Sequence, residues 1–69
     1  MLQNYYVNDN AQDNGDHEVH VSGCPRLKEV KSSTFLGSHD QPLTAVIKAQ
    51  TIYPQSDGAY CCCRSSHTS

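Results

Sequence analysis

The chain has 69 residues, of which 36% are apolar and none is tryptophan. That length allows one small domain, spanning 1–69, whose core is marginal unless something staples it. Seven acidic residues face five basic ones, for a formal charge of −2 without a basic run; nucleic-acid binding, which needs several phosphate contacts, is therefore not expected.

The first ten residues, MLQNYYVNDN, hold neither a basic region nor an apolar stretch of signal-peptide length, and no segment approaches the ~20 apolar residues of a membrane span. The expectation is a soluble cytoplasmic protein. In chain order, β-branched and aromatic residues predict strands at about 4–8 and 17–22, joined by the polar loop NDNAQDNGD with Asn14-Gly15 as its turn. Alternation puts Val19 and Val21 on one face with His17, and Glu18, His20 and Ser22 on the other. The valine face is expected to be the core face. Gly23 and Pro25 end the strand, and Leu27 and Val30 allow one helical turn in CPRLKEVKSS.

A third short strand covers 33–38 and closes at Gly37. Asp40 then reads as a helix N-cap with Pro42 in the first turn, and the helix runs from about 41 to 53, stopped by Pro54. At 100° per residue Ala45, Val46, Ala49, Ile52 and Tyr53 share one side, with Leu43 and Ile47 widening it. So broad an apolar face lies across a sheet. Ser56-Asp57-Gly58 reads as a turn, AYCCC as a last strand and RSSHTS as a polar tail. The predicted fold class is α+β: three or four short, mostly antiparallel strands on one helix. The expected core is Leu2, Tyr5, Val7, Val19, Val21, Leu27, Phe35, Leu36, Val46, Ile47, Ile52 and Tyr53.

Chemistry concentrates on cysteine and histidine. HEVH departs from the zinc-protease signature, because its histidines are three apart rather than four and sit in a strand; His17 and His20 are expected as solvated or edge residues. His20 and Cys24 are four apart across Gly23, which lets the chain turn back and the two side chains converge. Zinc sites are built from two such short-loop pairs. The second pair would come from Cys61 with Cys63, or Cys62 with His67, since neighbouring cysteines along a strand diverge. Against this stand small-hydrophobe packing of the cysteines and a disulfide from Cys24 to one of the later three, such as Cys62, worth about 3–4 kcal/mol in the chain-entropy model. A disulfide needs an oxidising compartment.

No catalytic residue is assigned and no enzyme is expected: a chain this short hardly encloses a deep, dry pocket. Asp13, Asp16, Glu18 and Asp57 read as solvated turn or strand residues. The aromatics Tyr5, Tyr6, Phe35, Tyr53 and Tyr60 have too little positive charge nearby for base stacking, but an exposed Tyr5 or Tyr6 could anchor a protein partner.

The run NGDHEVHVSGC, then Leu36-Gly37, AVIKAQTIYP, Asp57-Gly58, a cysteine and a terminal HTS resembles a family of small uncharacterised bacterial proteins over most of the chain. In that pattern a Cys-x2-Cys pair follows the turn and another Cys precedes HT; here Ala59 and Ser66 hold two of those places and Cys62 matches the third. More distantly, the order of His20-x3-Cys24, strand, helix and cysteine cluster is similar to the small zinc module of Ada-type DNA-repair proteins. That likeness implies a compact α+β fold and names no activity for this chain. The leading expectation is a non-catalytic binding module in which zinc is clasped by His20, Cys24 and the 61–63 cysteines. The alternatives are a metal-free, inhibitor-like interaction protein from a mobile element, acting through its acidic 8–18 surface or a tyrosine patch, alone or as a homodimer, and an exported domain held by disulfides.

Overall fold

The computed structural model describes residues 1–59 and Cys63. Among them are one four-stranded sheet and one α-helix, a small α+β fold with mostly antiparallel strands. In chain order these are β1 (Gln3–Asn8), β2 (His17–Val21), a 3-10 turn (Pro25–Glu29), β3 (Ser33–His39), α1 (Pro42–Gln50) and β4 (Ser56–Gly58). The spatial order is β3-β1-β2-β4. β1 is antiparallel to both its neighbours, whereas β4 runs parallel to β2.

Register fixes the core. Tyr5 lies opposite Val21 and Val7 opposite Val19, so β1 and β2 present one continuous apolar face. On the β3 side the pairing shifts: Tyr5 faces Gly37 but Tyr6 faces Phe35, leaving Leu36 as the extra residue of a β-bulge. Gly37 takes φ +91°, a conformation that suits glycine. The bulge turns Leu36 inward and Phe35 outward. Tyr5, Val7, Val19 and Leu36 pack with Ala45, Val46 and Ala49 of α1 and with Cys63, and Val21 and Tyr53 border them.

Several expectations change. α1 is shorter than 41–53: Gln41, not Asp40, occupies the N-cap, and no side chain caps the helix. At the other end the Ile52 and Tyr53 amides both donate to the Ala49 carbonyl, a tightening turn forced by Pro54, which disfavours helical backbone in the residue before it. Ser56-Asp57-Gly58 is not a turn but strand β4, in register with His17, Glu18 and Val19. These small residues enter a buried position beside β2, where tertiary pairing overrides turn propensity. Of the strand expected over 59–63, Tyr60, Cys61 and Cys62 lie outside the described residues. Ala59 and Cys63 belong to no strand, and the Cys63 amide donates to the Ala59 carbonyl at 2.7 Å.

The expected core was too generous. Leu2, Phe35, Ile47 and Ile52 are exposed and Leu27 is half-buried. Neighbours in a strand point to opposite faces, so Phe35 cannot join Leu36, nor Tyr6 join Tyr5. On α1 the close approach to the sheet is made by Ala45, Val46 and Ala49, and the longer Leu43 and Ile47 are left outside.

Candidate functional site

The face of the sheet away from α1 carries Tyr6, Asn8, Glu18, His20 and Phe35, the residues out of phase with the core. The 3-10 turn packs against the β2 end of this face. Its residues Arg26 and Glu29, with Val30 just after it, join Asn8, Glu18 and His20 around a cleft of about 180 Å³. Toward β3, among the described residues, no element covers the face. There the Tyr6 and Phe35 rings meet at 5.2 Å with a 47° tilt, and Phe35 is 55% exposed.

His20 was expected near solvent and is instead only 2% exposed. Its burial holds the imidazole below its ordinary pKa of 6.5; Glu18 pulls the other way and Arg26 adds slightly to the depression. The ring is therefore neutral near pH 7, and its Nε2, 3.7 Å from Glu18 Oε1, makes a polar contact rather than an ion pair. HEVH is a strand, with His20 on this face and His17 on the helix side. The helical arrangement of a zinc protease is not formed.

Cys24 is buried where the chain turns off β2. Its amide donates to the Val21 carbonyl at 2.9 Å, and its carbonyl accepts the Leu27 amide at 3.0 Å. The turn does not depend on Gly23, which has no left-handed φ and open space around its Cα. Cys24 borders a second cleft, of about 410 Å³, with Ser22, Gly23, Pro25, Leu27 and Lys28. His20 and Cys24 thus both lie beside the 3-10 turn, each lining a different cleft. Cys63 belongs to the apolar cluster under α1, whereas Cys24 is buried outside that cluster. Among the described residues no group of three or more His, Cys, Asp or Glu side chains is gathered as metal ligands would be. Cys61, Cys62 and His67 lie outside the described residues, and with them the Cys62–His67 pair, the partner of Cys63 in the other expected zinc pair, and the Cys24–Cys62 disulfide.

A second polar cluster occupies the helix side, and sequence reasoning missed it. Asp9, just past β1, accepts hydrogen bonds from Ser32 Oγ and Thr34 Oγ1, both at 2.6 Å, and from the Tyr53 hydroxyl at 3.0 Å. The Ser32 and Thr34 hydroxyls lower the Asp9 pKa below 3.8, and burial opposes them; the Tyr53 hydroxyl and the charge of His17 lower it further. The same carboxylate raises the Tyr53 phenol above 10.0. The Tyr53 ring stacks on His17 at 4.0 Å and 7°, and His17 Nδ1–H donates to the Asn8 carbonyl at 2.9 Å. This network joins the end of β1, the start of β3 and the turn after α1. Nothing local in the sequence marks Asp9, because its partners lie far along the chain.

Two acidic residues expected in solvent are buried, Asp16 and Asp57. Asp16 accepts Gln55 Nε2 at 2.9 Å and Asn14 Nδ2 at 3.3 Å, while its own amide donates to Asn14 Oδ1 at 2.9 Å. Gly15 stands at φ +92° with Gln55 Nε2 3.0 Å from where a Cβ would be, so the Asn14-Gly15 turn needs its glycine. Asp57 lies beside Glu18 in the parallel β2–β4 pair.

No helix among the described residues is long and apolar enough to cross a membrane. No family model matches the chain, nor does any curated protein or solved structure.

Proposed function

We propose that this chain is a small, non-catalytic, cytoplasmic binding module that takes a protein partner on the sheet face opposite α1. One observation carries the reading: the Tyr6–Phe35 pair stands on that face with Phe35 more than half exposed. Aromatic side chains are enriched at interfaces, where a rigid ring contributes much contact area for little ordering cost. The adjoining cleft adds Glu18, Glu29 and Arg26 as a polar rim.

The test compares wild type with Phe35→Ala as baits, followed by affinity measurement on the purified partner. An anchor of this kind is worth at least about 2 kcal/mol, or roughly a 30-fold loss of affinity. A partner that binds wild type and Phe35→Ala equally would place recognition elsewhere.

A second reading keeps a structural zinc clasp anchored by His20 and Cys24. It is favoured by the buried, neutral imidazole one turn before a buried cysteine, since a metal takes the neutral ring. The remaining ligands would come from Cys61, Cys62 or His67. Untagged protein is expected to hold about one zinc per chain and to melt lower with chelator. Metal-free protein with an unchanged melt leaves the interaction reading alone.

A further inference from the structure

The helix carries apolar residues on both sides. It meets the sheet through Ala45, Val46 and Ala49, and it holds Leu43 and Ile47, one turn apart, outward at 52% and 53% exposure. A helix that needed only to cover the sheet would place its large aliphatics inward and polar residues outward. Here the outer ridge is flanked by Asp40, just before α1, and Lys48 in its last turn. Neither makes an ion pair among the described residues.

We propose that this ridge is a two-fold interface with a second copy of the chain, the two α1 helices crossing antiparallel at Leu43 and Ile47. A two-fold interface must be self-complementary. Antiparallel crossing at that level sets Lys48 of each copy beside Asp40 of the other, because the two charges lie on opposite sides of the crossing point along the helix. It also opposes the helix dipoles. The ridge is small beside the ~800 Å² per partner of a standard interface, so association is micromolar or weaker. This surface lies across the molecule from Phe35, so the inference does not depend on the partner-binding reading.

Sedimentation of the full chain up to about 0.5 mM, the range where so small an interface is populated, provides the test. The weight-average mass should climb from 7.6 kDa toward twice that value. Ile47→Asp should keep it at the monomer value, with an unchanged circular dichroism spectrum because the residue is exposed. Asp40→Lys and Lys48→Asp should each weaken association severalfold, and the double exchange should restore it. Phe35→Ala should leave it intact. A monomer throughout the range, association that survives Ile47→Asp, or a double exchange no better than either single one would overturn the proposal.

Discussion

The two faces of the sheet are built for different tasks. Under α1 the face is mainly apolar, closed by residues as small as Ala45 and Ala49, with the Asp9 network at its border. On the other face a neutral imidazole is buried beside a 3-10 turn, and a phenyl ring stands in water two strands away. The first face gives the fold its cohesion. The second presents groups that a partner could use.

Core truncation should produce the largest effect. Val7→Ala removes two methyl groups from a fully buried position and should destabilise by about 2 kcal/mol in denaturant melts. A loss under about 0.5 kcal/mol would mean that the helix-side core is not the main source of stability.

His20 should add a pH slope. The folded chain holds the imidazole pKa below 6.5, so as pH falls through 6.5 the unfolded chain takes up a proton that the folded chain resists. Stability then declines by up to about 1.4 kcal/mol per pH unit until the folded ring itself protonates. His20→Gln should flatten that part of the profile relative to wild type. Identical slopes would show that His20 is not shielded.

The Asp9 network acts at lower pH and more weakly, because its carboxylate lies close to solvent. Its pKa is depressed below 3.8 in the fold. Its contribution is complete above the unfolded value and fades as pH drops through the lower folded one. Acid titration followed by circular dichroism should show a shallower acid limb for Asp9→Asn. An acid limb that matches wild type would show that the hydroxyl cluster does not favour the ionised form.

Phe35→Ala should change stability least, within about 0.5 kcal/mol. A larger loss would show that the open face contributes to folding, and the contrast between the faces would weaken.

Local pattern was enough for the helix-side face. Alternation in YYV and HEVHV located β1 and β2 and their core residues Tyr5, Val7 and Val19, and the turn at Asn14-Gly15 followed from its residue types. The open face was less legible. The burial of His20 comes from distant residues folding over it, which period-two alternation cannot report. Phe35 and Tyr6 could have been placed from the rule that neighbours in a strand diverge. β4 was missed because SDG carries turn residues and becomes a strand only through β2. Of the candidate site, the sequence singled out His20 and Cys24, and both are buried at the end of β2. It passed over Asp9, which depends on contacts with Ser32, Thr34 and Tyr53.

The parallel pairing of β4 with β2 also sets an order of events during synthesis. β1, β2 and β3 leave the ribosome first and can pair with one another by antiparallel contacts. The outer edge of β2, opposite Ser56, Asp57 and Gly58 in the finished sheet, then stays bare until the whole of α1 has emerged. Bare edges recruit other strands, and slow non-local pairings lengthen that exposure. Ser56, Asp57 and Gly58, arriving after α1, cover that edge and end its exposure.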